Sequence, residues 1–502
     1  MNEFSFFFQE ILSFVSLDNI MLMALAMILG IVVGALPGLS ATIGMALLTG
    51  ITYSFPADVA IIMMVGLYIG AIYAGSLTAI LINIPGTGSA AATCLDGYEL
   101  AKQGRAKEAI MTARIASFIG SIFGLLAFIL LIPLVVKFAL EFTSPEFFWL
   151  SIFGILICGA LTNEDLPVKG WIAGMAGMLL SFVGLEDIQA YERFTLGIPQ
   201  LISGIPYVPL MIGFFGIPQI IKLIQMDQRD VKIKSSDSGF KMWKLLRKNI
   251  LGIISWAFLG LGIGAIPGAG ENIASWAAYG IAKKNSKNPE EFGKGKIEGV
   301  LAPEVANNSA ISGAIIPLLA LGIPGSPPTA ILMGALILHG IRPGPMLATE
   351  NPQFMYQMGS WLFWGAIMLL IMGVLTAKPM SYIMKVNPKV LASLIAVLCI
   401  VGTYSISNEV FDLQLVFIFG IVGYIFDKHG YAPGPLVLGF ILGPLADVNL
   451  RRALALSDGQ ASSLVDRPIS LILCIAVAFT VINTLYPIRN VIKTLRKKGG
   501  IK

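Results

Sequence analysis

Residues 298–345 read EGVLAPEVANNSAISGAIIPLLALGIPGSPPTAILMGALILHGIRPGP, and from Val305 to Ile341 they hold no Asp, Glu, Lys or Arg. About 20 apolar residues cross a bilayer as a helix, so this 37-residue run is read as membrane-embedded. Gly322-Ile323-Pro324-Gly325 interrupts it near the middle. Proline lacks an N–H and breaks a helix, and glycine permits backbone geometry that other residues cannot reach. In hydrocarbon the freed backbone groups cost several kcal/mol each unless they line a cavity or lie against protein. A break inside an uncharged run therefore marks a candidate site.

The same pattern recurs outward. Residues 19–57, 59–95, 115–136 and 249–270 are also free of charge. The chain is 56% hydrophobic and 13% charged, against roughly 25% charged in a soluble domain. A soluble enzyme, a nucleic-acid binder and a disordered scaffold are excluded. The expectation is an all-α polytopic membrane protein with about twelve transmembrane segments. Apolar runs at 110–132, 147–161, 205–224, 355–377 and 390–405 read as ordinary spans, while 170–184 and 412–426 look short for a full crossing. The net charge of +5 needs no acidic partner, because cytoplasmic loops gather Lys and Arg. Cys94, Cys158, Cys399 and Cys474 form no CxxC pair and are read as small buried hydrophobes. With two histidines, His339 and His429, no histidine-based metal site is expected. The N-terminus carries Glu3, Glu10 and Asp18 and no basic segment, so residues 1–19 are read as an amphipathic surface helix rather than a cleavable signal. The first span is expected from near Ile20.

Two halves resemble each other. Gly34-Ala35-Leu36-Pro37-Gly38 matches Gly264-Ala265-Ile266-Pro267-Gly268, and Asn83-Ile84-Pro85-Gly86-Thr87 matches Gly322-Ile323-Pro324-Gly325-Ser326. Cys158 with Asn163-Glu164 matches Cys399 with Asn408-Glu409, and the segment from Pro209 to Phe214 matches that from Pro435 to Phe440. Four matches in the same order, at offsets between 226 and 245, imply an internal duplication.

Charge then separates parallel from inverted repeats. Loop 51–60 has no Lys or Arg and its counterpart 281–297 has five; loop 96–114 has four and its counterpart 335–352 only Arg342; residues 133–146 have one against three in 376–389. The bias flips at every pair, as expected when the second half lies upside down. The expected organisation is a first repeat over 20–225, a basic cytoplasmic linker over 226–248, a second repeat over 249–468, and an extra helix with a basic tail over 469–502. Eight Lys/Arg in 222–248 and six in 489–502 put linker and tail inside, and the N-terminus outside. Arg451, Arg452 and Arg467 sit awkwardly in a stretch this scheme places outside.

Corresponding helix breaks in both halves of an inverted repeat point to a transporter binding site. Small polar residues follow each break: Ser40 and Thr42, Thr87 and Ser89, Glu271 and Asn272, Ser326 and Thr329. A half-helix starting there directs N–H groups and its positive dipole end inward. With Gly86, Gly268 and Gly325 allowing close approach, these residues are candidates to hold a carboxylate. The competing reading is kinked helices packed closely through small residues.

Intramembrane ionisable groups are functional candidates. Glu304 and Asn308 are spaced i, i+4 on one helix face, with Asn307 adjoining. Oxygen ligands suit a hard cation, and a carboxylate equally carries a proton. The coupling candidates are Asn83, Glu271, Glu304, Asn307 and Asn308. The alternative for Glu304 is an ion pair with Lys294 or Lys296 at a helix end. Asp96 and Glu99, beside Lys102 and Arg105, are assigned to a solvated loop. No nucleophile elbow, P-loop or HExxH motif is present. No enzyme activity and no metal or organic cofactor is expected, the coupling ion being H⁺ or Na⁺.

GALPGLSATIG (34–44), YIGAIYAGSLTAILINIPGTGSAAATCLDGYELAKQGRA (68–106), GAIPGAGENIASWAAYGIAKK (264–284) and the opening stretch cover about a quarter of the chain. On these segments the sequence resembles the large membrane subunit of the tripartite tricarboxylate transporters, with Ala74 standing where that family usually has glycine. The resemblance implies a bacterial inner-membrane permease that imports di- or tricarboxylates or related organic acids. It implies two partners, a small membrane subunit and an extracytoplasmic solute-binding protein. A stand-alone ion-coupled carboxylate carrier and an intramembrane enzyme are the competing functions.

Overall fold

The computed structural model describes residues 3–36, 39–162, 166–186, 188–225, 241–377, 379 and 386–485. Pro37-Gly38, Asn163-Glu164, residues 226–240 of the basic linker and the basic tail from 486 lie outside them. The helices are α1 (Glu3–Ser13), α2 (Leu17–Ala35), α3 (Ala41–Thr52), α4 (Ala57–Ile82), α5 (Ala91–Lys102), α6 (Ala106–Ala139), α7 (Ser144–Thr162) and α8 (Pro167–Leu180). They continue with α9 (Tyr207–Gln225), α10 (Met242–Lys248), α11 (Ile250–Gly264), α12 (Gly270–Asn285), α13 (Glu298–Leu321), α14 (Pro327–Leu338), α15 (Pro345–Glu350) and α16 (Pro352–Leu375). The last four are α17 (Pro388–Ser407), α18 (Val410–Lys428), α19 (Pro433–Leu456) and α20 (Pro468–Leu485). Among the described residues the strand content is one antiparallel pair, Gly184–Leu185 with Glu192–Arg193.

Eleven described helices are long and apolar enough to cross a membrane, or twelve if α10 and α11, bent by 73° at Asn249, form one span. The chain is an all-α multi-pass membrane protein. The segment 412–426, expected to be short, lies within the 19-residue α18 and is long enough to cross. At 12 residues each, α3, α5 and α14 reach only about 18 Å, well under the ~30 Å of hydrocarbon.

The residues form two compact units: Met1–Leu140 with Pro206–Ile425, and Glu141–Ile205 with Phe426–Lys502. In the larger, α2 lies along α4 and α11 along α13. Both pairs use the same device. A methyl on Gly30 or Gly34 would overlap the carbonyl oxygens of Leu67 or Ala71, and one on Gly260 or Gly264 those of Ala306 or Ala310. Small residues let backbones approach where burial of apolar surface gives no drive between helices in lipid. Helix α6 lies along α13 the same way, with Gly120 against the Val305 carbonyl.

Loops of like charge meet within this unit. The basic segments 96–114 and 281–297 are joined where Gln103 Nε2 donates to the Lys294 carbonyl at 2.8 Å. The poorly charged 51–60 and 335–352 adjoin where the His339 ring nitrogen Nε2 lies 3.3 Å from the Thr52 carbonyl oxygen.

The smaller unit gathers α7, α8, α19 and α20. Three of its four described arginines find acids. Arg451 Nε donates to Asp447 Oδ1 at 2.9 Å, Arg193 pairs with Asp447 at 2.9 Å, and Arg467 pairs with Glu146 at 3.0 Å. Arg451 and Arg467 are thus ion-paired locally, but the positive-inside rule counts Lys and Arg rather than net charge, so with Arg452 they still stand against the charge scheme.

Candidate functional site

The second and fourth breaks are built alike. Helix α4 stops at Asn83 (φ 57°) and α13 at Gly322 (φ 71°), both left-handed, a conformation that asparagine and glycine tolerate best. Pro85 and Pro324 bar the helix from resuming. Gly86 N–H then donates to the Gly75 carbonyl at 3.3 Å, and Gly325 N–H to the Ala314 carbonyl at 3.4 Å. A side chain on Gly86 would overlap the Gly34 carbonyl, and one on Gly325 the Gly264 carbonyl. Each break is thus wedged against a glycine two helices earlier, Gly34 of α2 or Gly264 of α11.

Beyond that point they differ. Ser326 caps α14 in a closed capping box: its N–H donates to Thr329 Oγ1 at 2.9 Å, and Thr329 N–H to Ser326 Oγ at 3.4 Å. The next two residues, Pro327 and Pro328, have no N–H. The expected N–H donation from this half-helix end therefore does not hold; its hydroxyls and dipole remain. At the other break Thr87 makes no side-chain cap, and the turn Gly88–Ala90 leads into α5. No backbone hydrogen bond ties down the N–H of Thr87, Gly88 or Ser89 among the described residues. Gly88 is exposed, whereas Gly322 through Ser326 are buried.

The start of α12 lies between the two breaks. Gly270 (φ 55°) abuts Ser326 Cβ, and the exposed Asn272 amide lies against Gly88. Buried Glu271 accepts a hydrogen bond from Tyr68 of α4, whose hydroxyl also lies 3.0 Å from Ser326 Oγ. Thr87 and Ser89 hydroxyls are 2.9 Å apart. Asn307 Nδ2 donates to the Ser89 carbonyl at 3.4 Å, so α13 reaches back to the first half as α4 reaches forward to the second.

Behind Ser89 sits Glu304, wholly buried. Thr93 Oγ1 donates to its Oε1 at 2.6 Å and Ser117 Oγ to its Oε2 at 3.3 Å. Asn308 Nδ2 donates to the Glu304 carbonyl at 3.1 Å and to Asn307 Oδ1 at 2.7 Å, and Asn308 Oδ1 is buried without a partner. The alternative lysine pairing of Glu304 is not realised: Lys296 pairs with Glu291 instead. Among the described residues no Lys or Arg forms an ion pair with Glu271 or Glu304. Buried carboxylates are ion-paired or hydrogen-bonded, and these two are held by hydrogen bonds, from Tyr68 to Glu271 and from Thr93 and Ser117 to Glu304.

The structure thus brings together Gly86, Thr87, Ser89, Glu271, Asn272, Glu304, Asn307, Asn308, Gly325, Ser326 and Thr329. It does not bring Asn83, whose exposed side chain sits at the end of α4. Ser40 caps α3 by accepting from Ile43 N–H at 3.3 Å, Thr42 is buried in the first turn, and Gly268 (φ 74°) turns the chain before α12. No hydrogen bond joins these three to the Glu271–Glu304 group among the described residues. Sequence reasoning missed Tyr68, Thr93 and Ser117. A buried tyrosine hydroxyl needs a partner, and that requirement in an uncharged helix was the available signal for Tyr68.

Asp96 corrects an expectation. It is fully buried, not in a solvated loop. Its Oδ1 accepts the N–H groups of Gly293, Gly295 and Lys296 at 2.7–2.9 Å, and its Oδ2 the Tyr279 hydroxyl at 2.9 Å. The two glycines at φ 82° and 96° aim those donors, fastening α5 to the loop before α13.

Residues 20–438 match the family described as the tripartite tricarboxylate transporter TctA family. The chain is 38% identical over 475 residues, 94% of each chain, to the "Uncharacterized 52.8 kDa protein in TAR-I ttuC' 3'region" of Agrobacterium vitis. It is 41% identical over 208 residues, 41% of this chain and 86% of the relative, to the "Uncharacterized protein in TAR-II ttuC' 3'region" of the same organism. No solved structure matches.

Proposed function

The chain belongs to the tripartite tricarboxylate transporter TctA family, and from that premise we propose that it is the large permease subunit of a binding-protein-dependent secondary transporter. Its substrates are di- or tricarboxylates or related organic acids, taken up across a bacterial inner membrane on an H⁺ or Na⁺ gradient. A small membrane subunit and an extracytoplasmic solute-binding protein complete the system.

The observation that carries this reading is the start of α12, with Glu271 in its first turn, held between two helix breaks, together with a second buried carboxylate, Glu304, on α13; among the described residues neither has an ion pair. The substrate carboxylate sits at the exposed first break. There it accepts the N–H groups of Gly88 and Ser89, the hydroxyls of Thr87 and Ser89, and the Asn272 amide. Charge-assisted hydrogen bonds contribute about 1.5–3 kcal/mol each, so two or three offset much of the desolvation of a carboxylate. The Ser326 and Thr329 hydroxyls and the α14 dipole serve a second anionic group.

Coupling follows from Coulomb's law. A substrate anion beside Glu271 and Glu304 is repelled while either is ionised. A proton on Glu304, or Na⁺ among Glu304, Asn307 and Asn308, removes that repulsion. Cation and substrate then bind together or not at all.

The two repeats, 20–225 and 249–468, are read as inverted. Equivalent glycines wedge equivalent helices, and two pairs of loops meet a non-equivalent loop of the other half, basic 96–114 with basic 281–297 and poorly charged 51–60 with poorly charged 335–352. Those contacts support reading equivalent loops as lying on opposite faces.

Uptake into proteoliposomes with a panel of carboxylates tests the reading, with and without a Na⁺ gradient and with and without the binding protein. Saturable carboxylate uptake that needs an ion gradient is expected. Uptake at full rate without the binding protein would favour a stand-alone carrier, and no uptake under any gradient would overturn the reading.

A further inference from the structure

A cavity of about 580 Å³ opens beside the bend between α10 and α11, apart from the helix breaks. It falls in the roughly 300–1,000 Å³ range of small-molecule pockets. Three lysines line it, Lys248, Lys287 and Lys296, against one acid, Glu298. Glu298 lies 3.4 Å from Lys248 Nζ and Glu291 pairs with Lys296, so the balance at the mouth is one positive charge, that of Lys287. The side chains of Asn249 and Asn288 and the buried ring of Trp256 complete the polar and aromatic lining.

The depth of this cavity relative to lipid follows from α11. Its N-terminal half carries Leu251, Ile254 and Phe258 at i, i+3 and i+7, and all three are exposed (80%, 40% and 60%). On a membrane-embedded helix such a stripe faces acyl chains, and it begins at Leu251, which lines the cavity. On the other side α10 turns away by 73° and holds Trp243 76% exposed, as a helix lying in the headgroup layer does. The cavity therefore sits at headgroup level, on the face of the molecule with the basic loops, with an apolar track leading from it into the bilayer.

We propose that this cavity binds the headgroup of an anionic phospholipid. The phosphate takes Lys248 and Lys287 as ion partners and hydrogen bonds from Asn249 and Asn288, and one acyl chain runs along Leu251, Ile254 and Phe258. A soluble carboxylate shares the anionic chemistry but has no use for the apolar stripe. Basic pockets at the membrane face are the usual seat of such lipids.

Native mass spectrometry on protein exchanged into equal phosphatidylcholine and phosphatidylglycerol tests this. Wild type should retain phosphatidylglycerol. Lys248→Gln with Lys287→Gln should lower that retention roughly thirtyfold, from the contribution of each lysine near an anionic surface, while Lys283→Gln with Lys284→Gln, outside the lining, should not. Phe258→Ser should weaken retention of the lipid without changing binding of glycerol phosphate. Equal retention of both lipids by wild type, or no loss in the double variant, overturns the proposal. Displacement of the lipid by millimolar citrate or phosphate reassigns the cavity to a soluble anion and overturns it equally.

Discussion

The break at Asn83–Ser89 and the break at Gly322–Thr329 have one backbone and two chemistries. Both stop a long helix with a left-handed residue, both follow with Ile-Pro-Gly, and both wedge that glycine against a glycine carbonyl two helices earlier. What the duplication kept is what stops and packs a helix. What it let diverge is the donor end. The first break leaves N–H groups undirected beside exposed Gly88, and the second closes its own with a capping box and two prolines. A ligand site built at their junction is therefore lopsided even where the scaffold is symmetric, and the anion belongs nearer the first break.

The largest effects test the shared part. Gly86→Val and Gly325→Val should each abolish recovery of folded protein in detergent, because the added atoms meet backbone oxygen that cannot move aside. Overpacking costs about 1–3 kcal/mol where side chains can give, and more here. Size-exclusion profiles and melting temperatures check this; if either variant is stable, the wedges are not equivalent.

Glu304→Gln comes next. The amide keeps the shape, removes the charge and leaves Thr93 and Ser117 competing for one acceptor. Transport should fall tenfold or more and lose its dependence on the driving cation. Wild-type rate with wild-type pH and Na⁺ dependence would remove Glu304 from the coupling.

Ser89→Ala against Ser326→Ala sharpens the lopsidedness. The first should weaken substrate binding about tenfold with little change in melting temperature. The second opens the capping box, costs about 1 kcal/mol of stability, and affects affinity less. Calorimetry on purified variants reads both. The smallest effect expected is from Pro328→Ala, which returns an N–H to the closed end: a gain in affinity of a few-fold at most.

Much of this scaffold was legible before any coordinates. The breaks announce themselves because Pro and Gly inside uncharged runs have few structural explanations, and Glu304 and Glu271 because charge there is rare. Local sequence could not reveal partners. Thr93 and Ser117 lie 211 and 187 residues from Glu304, and each looks like ordinary small-residue packing. Asp96 was misread because Lys102 and Arg105 nearby suggest solvent, while the three N–H groups that bury it come from a loop about 200 residues away. The closed end of α14 was legible in part: Pro327-Pro328 cannot donate, and weighing that would have favoured the first break from sequence alone.

An experimental structure of the purified subunit with a bound dicarboxylate tests the central claim most directly. One carboxylate should lie within hydrogen-bond distance (about 2.7–3.2 Å) of the Gly88 or Ser89 N–H and the Asn272 side chain, with Glu304 buried behind it. Density on the far side of α14, or anywhere out of reach of Gly88 and Asn272, would contradict the account and leave the breaks as packing devices.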